Sequence, residues 1–125
     1  MSEAPGIVIL KDGRIDPSDL KRLVLLYFED MVKYVVDVER GVIGLGGEMH
    51  ADAEQLLLED GSRQADLWGA NYYPGRGREG GIEYTSLINI RPASGNRSME
   101  IQDPALRERV RDITWALVGE GEPLP

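Results

Sequence analysis

The sequence predicts a single α+β domain, with an antiparallel or mixed sheet of about four to five strands, two main helices on one face and a short helix. Two observations lead to this fold class. Two stretches carry apolar residues at helical spacing, and short stretches of alternating apolar and polar residues lie between them. A length of 125 residues is typical of one domain. We therefore expect one domain over residues 1–118 and a disordered acidic tail over residues 119–125.

The chain begins with an apolar run at residues 7–10, which indicates a strand because a Lys-Asp-Gly turn follows it. Asp16 and Pro17 then form a helix-start signal, in which a capping side chain precedes a proline at the first helical position. An apolar stripe at helical spacing follows this signal: Leu20, Leu23, Val24, Tyr27 and Met31. The stripe predicts a helix over residues 17–30.

A change to a period of two residues marks the next element. Four apolar residues share one face, while Lys33, Asp37 and Glu39 lie on the other: Val32, Tyr34, Val36 and Val38. A turn at Glu39-Arg40-Gly41 predicts that this strand forms a hairpin with a second strand over residues 42–45. Three glycines lie in or just after the second strand: Gly44, Gly46 and Gly47. Glycine in such a position indicates a bulge or the close approach of another backbone.

Residues 52–60 admit two interpretations. With Asp52 as the cap and Gly61 as the terminator, the segment is a short helix. Alternatively, residues 56–59 form a strand that turns at the Asp-Gly pair ending at Gly61. We favour the helix, which would separate the first hairpin from the second.

The second half of the sequence predicts another hairpin and a second long helix. Strands are expected over residues 67–73 and 82–91, joined by a glycine-rich loop. Four residues of the later strand are expected to share one face: Ile82, Tyr84, Ile88 and Ile90. Asp103 and Pro104 then repeat the helix-start signal. A second apolar stripe follows them: Leu106, Val110, Ile113 and Leu117.

Composition narrows the classes of function. The chain has no cysteine, so disulfides, thiolate metal sites and a cysteine nucleophile are excluded, which fits a reducing compartment. A net charge of -8 opposes non-specific binding to nucleic acid. No stretch approaches the ~18 apolar residues of a membrane helix, and the first residues lack the pattern of a secretory signal. We therefore expect a cytoplasmic protein without a membrane segment.

Arginine and asparagine side chains cluster around one glycine at the end of the last predicted strand. The cluster consists of Asn89, Arg91, Ser94, Asn96 and Arg97. Backbone N–H groups in a glycine turn form a concave anion site, and two guanidinium groups can clamp a phosphate or carboxylate. We predict that these residues bind a small anionic ligand. The alternative is that the arginines pair with acids of the domain and hold an irregular loop in place.

A polar connection over residues 59–69 can supply one wall of the same cleft, and it contributes Asp60 and Arg63 to the candidate ligand site. The other interpretation is structural, with Ser62 as a turn residue and Trp68 as a core anchor. Sequence alone leaves open whether this connection meets the segments on either side of it, residues 48–52 and 89–97.

A second candidate site contains the only histidine of the chain. Glu48, His50 and Asp52 alternate, so an extended backbone would point all three side chains the same way. Such a set can hold a divalent metal or place a general base beside an orienting acid. The alternative is that His50 is structural and Asp52 only caps a helix. No phosphate loop, dinucleotide fingerprint or serine nucleophile elbow is present.

Several ordered motifs resemble those of a small prokaryotic protein family of unknown function. They are 36–41 (VDVERG), 46–52 (GGEMHAD), 57–62 (LLEDGS), 67–69 (LWG), 88–92 (INIRP) and 95–98 (GNRS). The resemblance covers most of residues 17–118. It implies a complete single-domain protein and transfers no activity.

Three hypotheses about function follow. In the leading one, a non-catalytic domain without a cofactor binds a small anionic ligand or a protein partner through the arginine and asparagine loop. This domain would be a homodimer, since a short sheet leaves unpaired edges. In the second, a metal-assisted hydrolase uses Glu48, His50 and Asp52 with a divalent metal. In the third, the chain is an accessory or antitoxin-like interaction protein.

Overall fold

A computed structural model describes residues 6–125, and within them a five-stranded sheet is combined with helices on both faces. The elements are β1 (Ile7–Leu10), α1 (Pro17–Tyr27), β2 (Val32–Asp37), β3 (Val42–Gly46), α2 (His50–Glu59), β4 (Leu67–Tyr72), α3 (Gly77–Gly80), β5 (Ile82–Glu83) and α4 (Pro104–Leu117). The strand order is β1-β3-β2-β4-β5, and each neighbouring pair is antiparallel. The predicted α+β fold is thus confirmed. Residues 1–5, where a secretory signal was judged absent, lie outside the described residues.

The two long helices begin where the sequence predicts. An Asp16 carboxylate oxygen accepts a hydrogen bond of 2.8 Å from the Ser18 N–H, and Asp103 accepts one of 2.9 Å from the Ala105 N–H. Each cap satisfies a first-turn N–H that has no partner within its helix. Helix α1 ends at Tyr27, three residues before the predicted end at residue 30. Among residues 6–125, no helix is long and apolar enough to cross a membrane.

The larger core lies between one face of the sheet and the two long helices. Val32, Tyr34 and Val36 of β2 all point into it, as their alternation predicts. The Tyr34 hydroxyl and the Thr114 hydroxyl of α4 lie 2.8 Å apart, so the buried hydroxyl of Tyr34 has a hydrogen-bond partner. Burial raises the pKa of Tyr34, which stays neutral. The predicted placement of two main helices on one face is therefore correct.

The short helix α2 covers part of the opposite face of the sheet. It packs its leucines against Val35, Val42 and Leu67. A Cβ on Gly44 would lie 3.3 Å from the Ala53 carbonyl oxygen of α2, so this glycine marks the close backbone approach that the sequence indicates. Segment 52–60 is therefore helical.

The start of α2 differs from the prediction. The helix begins at His50 with Met49 as its cap residue, and no side chain accepts a hydrogen bond there. Asp52 lies within the first turn, so its predicted capping role is wrong. The Asp52 N–H donates a hydrogen bond of 3.1 Å to the Met49 carbonyl, which places Asp52 inside the first turn and not before it.

Residues 82–91 are not the strand that the sequence predicts. Strand β5 stops at Glu83, and single turns of 3-10 helix follow at Leu87–Asn89 and Pro92–Ser94. Ser86 accepts a hydrogen bond from the Ile88 N–H, which favours the turn over an extended backbone. The expected shared face is also absent. Ile82 and Tyr84 pack on the larger core, whereas Ile88 packs on the α2 side and Ile90 is exposed.

Residues 119–125 lie against the domain, in contrast to the expected disordered tail. The Gly121 N–H donates a hydrogen bond of 2.8 Å to the Tyr72 hydroxyl, and the Gly121 carbonyl accepts one of 2.9 Å from the Gly75 N–H. Glu120 pairs with Arg78 at 2.5 Å, and Leu124 packs on the larger core. The acidic residues of this segment therefore have partners that a pattern of charge alone does not show.

Candidate functional site

Asn89 replaces a missing strand partner at the edge of β4. Strand β5 is only two residues long and pairs with Asn71 and Tyr72, which leaves Gly69 uncovered. The fully buried Asn89 accepts a hydrogen bond of 2.8 Å from the Gly69 N–H and donates one of 3.0 Å to the Gly69 carbonyl. Its amide also donates to the Met99 carbonyl. This predicted ligand residue is therefore committed to the backbone.

Asn96 organises the loop around it in the same way. Its Nδ2 lies 2.8 Å from the Asn89 carbonyl oxygen and 2.9 Å from that of Ser98. Its Oδ1 accepts a hydrogen bond of 2.9 Å from the Gln102 N–H. Both ends of this side chain are engaged, so a ligand could bind Asn96 only by breaking the loop.

Arg91 lies against β4 instead of facing solvent. Its guanidinium donates to the Leu67 carbonyl, stacks 4.6 Å from the centre of the Trp68 ring and lies 3.7 Å from a Glu54 carboxylate oxygen. Burial lowers the pKa of Arg91, and Glu54 partly offsets that effect. The predicted alternative, in which an arginine pairs with an acid of the domain, describes Arg91 better than an anion clamp does.

Asp60 does not reach this loop. It lies 2.8 Å from Arg40 and 2.9 Å from Lys11, and these hydrogen bonds lower its pKa. Arg40 also donates to Ser62, whose hydroxyl in turn donates to the buried Asp37 carboxylate. Asp60 therefore belongs to a polar network that holds the β2–β3 hairpin.

The remaining candidates for anion binding are exposed. Ser94, Arg97 and Arg63 lie at the surface, and neither arginine forms an ion pair within residues 6–125. Arg97 contributes only its backbone N–H, which donates to Gln102. The side chains of these three residues are accessible to an anion from solvent.

The premise of the metal site, an extended backbone, does not hold. The chain enters α2 at His50, so Glu48 and Asp52 lie exposed on either side of the helix start. Within the described residues, no group of three or more acidic or histidine side chains is placed to hold a metal ion. A divalent metal stays a prediction from the sequence.

The segments around His50 and Asn89 do meet, and they meet over Gly69. A Cβ at this position would lie 2.5 Å from the Ser86 Cβ and 3.2 Å from the His50 Cδ2. Because Gly69 has no side chain, α2 and the segment after β5 can both pack directly on the centre of β4. Next to this contact lies a cavity of about 310 Å³. Its walls are formed by Lys33, Met49, His50, Ala51, Asn71, Thr85, Ser86, Leu87, Ile88 and Met99.

The cavity exists because α2 is short. Beyond the helix, a row of polar side chains crosses the same face of the sheet, with Lys33 opposite Asn71 and Asn71 opposite Glu83. No helix within the described part of the chain covers this row, and residues 85–88 form the other wall. A polar floor therefore lies at the base of the cavity.

His50 is held in one tautomer at the cavity. Its Nε2 lies 2.9 Å from the Ala70 carbonyl oxygen, and because a carbonyl can only accept, Nε2 carries the proton. Burial lowers the pKa of His50, while the Ala70 carbonyl and Asn71 partly raise it and Lys33 lowers it further. The ring is therefore neutral at pH 7, with a lone pair on Nδ1.

Asn71 leaves one acceptor unused. Its Nδ2 donates a hydrogen bond of 2.7 Å to the Glu83 carboxylate, which fixes the amide orientation because a carboxylate cannot donate. Its Oδ1 is buried and has no hydrogen-bond partner within residues 6–125, and the residue is only 7% exposed. A buried acceptor without a partner costs about 1–3 kcal/mol. Asn71 lines the cavity, so a donor that reaches this atom from the cavity would satisfy it.

Apolar side chains form the rim of the cavity. Met49, Leu87 and Met99 are 55%, 68% and 41% exposed. Large apolar side chains at this level of exposure, grouped around one opening, are typical of a binding surface.

Of the cavity residues, only His50 was singled out from the sequence. Asn71 carried a usable signal, since it is a polar residue within the mainly apolar strand β4, whereas Lys33 is one of the polar residues that the alternation in β2 already explains. The position of Asn71 is unfavourable for stability and indicates function. The rim residues gave no signal, because single exposed methionines and leucines are common.

The fold and the cavity define a small α+β domain with a ligand-sized pocket on one face of an antiparallel sheet. The family follows from comparison with known proteins. The chain belongs to the DUF5674 family, described as a protein of unknown function, whose model matches residues 8–117. No curated protein and no solved structure matches the chain.

Proposed function

We propose that this domain binds a small organic molecule in the cavity beside His50. The observation that carries the proposal is the buried Asn71 Oδ1, an acceptor without a partner in the cavity wall. The cavity volume of about 310 Å³ lies at the lower end of the range for small-molecule sites. At roughly 30 Å³ for each water-sized unit, it suits a ligand of about ten non-hydrogen atoms.

The lining supports binding of an amphipathic molecule. Known ligand sites combine apolar walls with a few polar groups that fix orientation. Here Met49, Leu87 and Met99 supply the apolar walls, while His50 and Asn71 supply the polar groups. This site replaces the arginine and asparagine loop as the proposed ligand site, because Asn89 and Asn96 are occupied with internal hydrogen bonds.

We propose binding without catalysis. A serine nucleophile requires a base within hydrogen-bond reach. The Ser86 hydroxyl accepts from the Ile88 N–H, and no hydrogen bond joins it to His50. The Nε2 of His50 is already occupied by the Ala70 carbonyl.

A variant that fills the cavity tests this function. Ala51 is exposed and lines the cavity, so Ala51→Trp should block the cavity without removing a core contact. Ala116→Trp, at an exposed position of α4, is the matched control. A fragment library is screened against all three proteins by saturation-transfer NMR, and thermal unfolding checks that each variant is folded.

We expect fragments that bind the wild type and Ala116→Trp but not Ala51→Trp. If every fragment that binds does so equally to Ala51→Trp, or if none binds the wild type, the cavity is not a ligand site. The homodimer, the cytoplasmic location, the metal-assisted hydrolase and the antitoxin-like partner role remain predictions from the sequence. Binding of an anion by the exposed Arg63 and Arg97 also remains a prediction from the sequence.

A further inference from the structure

The cavity is asymmetric in charge, and this asymmetry restricts its ligand. On one side of Asn71 lies Lys33, and on the other side lies the Glu83 carboxylate. Lys33 forms no ion pair within residues 6–125, and its nearest aromatic contact is the Phe28 ring at 5.2 Å. An anionic group of a ligand is therefore attracted to the Lys33 side and repelled from the Glu83 side.

The start of α2 adds to the positive side. Met49, His50 and Ala51 line the cavity, and Met49 provides no side-chain cap. The first N–H groups of a helix have no acceptor within the helix and form the positive end of its dipole. The Asp52 N–H already donates to the Met49 carbonyl, so a carboxylate oxygen would bond to the N–H groups of His50 or Ala51.

Asn71 requires a hydrogen-bond donor on the ligand, in contrast to the anion that Lys33 attracts. Its free Oδ1 can only accept, so the ligand must present an O–H or N–H there. Residues directly opposite each other on antiparallel strands have Cβ atoms about 5 Å apart. Lys33 and Asn71 are such a pair, so a donor and an anion on neighbouring atoms of a ligand can reach both side chains.

Resting on the proposed function, we infer that the ligand is a small carboxylic acid with a hydroxyl or amino group on the adjacent carbon and a short apolar chain. The carboxylate lies toward Lys33 and the start of α2. The hydroxyl or amino group donates to Asn71 Oδ1, and the apolar chain lies against Met49, Leu87 and Met99. The cavity size admits a chain of a few carbons and excludes a long fatty acid.

Four compounds with the same six-carbon skeleton test each part of this inference: 1-hexanol, hexanoate, 2-hydroxyhexanoate and 2-aminohexanoate. Their dissociation constants for the full chain are measured by titration followed by two-dimensional NMR. The variant Lys33→Met removes the charge and keeps the apolar stem. Lys21→Met, at an exposed position of α1, is the control for a general change in net charge.

We expect hexanoate to bind the wild type about tenfold more tightly than hexanol, and one of the 2-substituted acids to bind about tenfold more tightly again. Lys33→Met should weaken the binding of the acids by about tenfold and leave the binding of hexanol unchanged. Lys21→Met should change the affinity for neither. The two 2-substituted acids distinguish a hydroxyl from an amino donor.

Two results would overturn the inference while leaving the pocket intact. One is equal binding of hexanol and hexanoate by the wild type. The other is binding of hexanoate as tight as that of both 2-substituted acids. If none of the four compounds binds, the inference is overturned as well, and the fragment screen with Ala51→Trp then decides separately whether the cavity binds any molecule.

Discussion

Asn89 shows how one side chain can determine the course of a whole segment. Its amide pairs with both backbone groups of Gly69, as a neighbouring strand would. Residues around it therefore need not be extended, and the chain after Glu83 folds into turns. A polar residue in a strand pattern gave no sign of this role, because its partners lie twenty positions away.

We predict that Asn89→Leu, which has a similar volume, destabilises the domain by about 3 kcal/mol or more. The substitution leaves the Gly69 N–H and carbonyl buried without partners, and each such group costs about 1–3 kcal/mol. The free energy of unfolding in urea measures this loss. The exposed Ser94→Ala in the same loop should change it by less than about 0.5 kcal/mol. A small loss for Asn89→Leu would mean that water or another group can replace the amide.

His50 makes the stability of the domain depend on pH. Its pKa is lowered from 6.5 in the folded chain, so below pH 6.5 the unfolded chain binds more protons than the folded one. The stabilisation is complete above pH 6.5 and is lost as the pH falls through the lowered value. Carboxylates with lowered pKa values, such as Asp60, change the stability of the domain only at lower pH, since the ordinary pKa of an aspartate is 3.8.

We predict that His50→Gln flattens the pH dependence of unfolding between pH 7 and pH 5. Glutamine can still donate to the Ala70 carbonyl, but it does not titrate. Urea unfolding at several pH values compares the two proteins. Equal slopes in the wild type and the variant would show that His50 is not held neutral by its surroundings.

At the scale of elements, the packing of residues 84–102 on β4 depends on a glycine. Gly69→Ala would place a Cβ within 2.5 Å of the Ser86 Cβ, closer than side chains can approach. We predict a loss of about 1–3 kcal/mol in the free energy of unfolding. Ser86→Gly in the same chain should recover part of it, and a double-mutant cycle measures the coupling. Additive effects of the two substitutions would place the strain elsewhere.

The elements that sequence predicts well are those defined by local signals. Asp16 and Asp103 specify both helix starts, and the alternation in β2 specifies which side chains enter the larger core. Residues 84–102 could not be predicted, because their conformation depends on Asn89 bonding to Gly69, twenty positions away, and on Asn96 bonding to the backbone of an irregular loop. The alternating isoleucines of this segment predicted a strand, because the sequence pattern carries no signal for the 3-10 turns at Leu87–Asn89 and Pro92–Ser94.

At the scale of the whole molecule, the pocket follows from two short elements. Helix α2 is too short to cover its face of the sheet, and β5 is too short to cover the edge of β4. Sequence could identify His50 as unusual but could not place it beside Lys33 and Asn71. Those two residues are brought together by the pairing of β2 with β4, and both line the cavity with His50. It also could not show that the arginine loop is turned inward, since the contacts of Arg91 are with β4 and α2.

The central claim is that the cavity beside His50, and not the arginine and asparagine loop, receives an organic acid. A crystal structure of the full chain with 2-hydroxyhexanoate or 2-aminohexanoate tests this claim most directly. We predict density in the cavity, with the carboxylate on the side of Lys33 and the hydroxyl or amino group within hydrogen-bond distance of Asn71 Oδ1. Density for the acid at Arg97 or Arg63, with the cavity empty of it, would contradict the account.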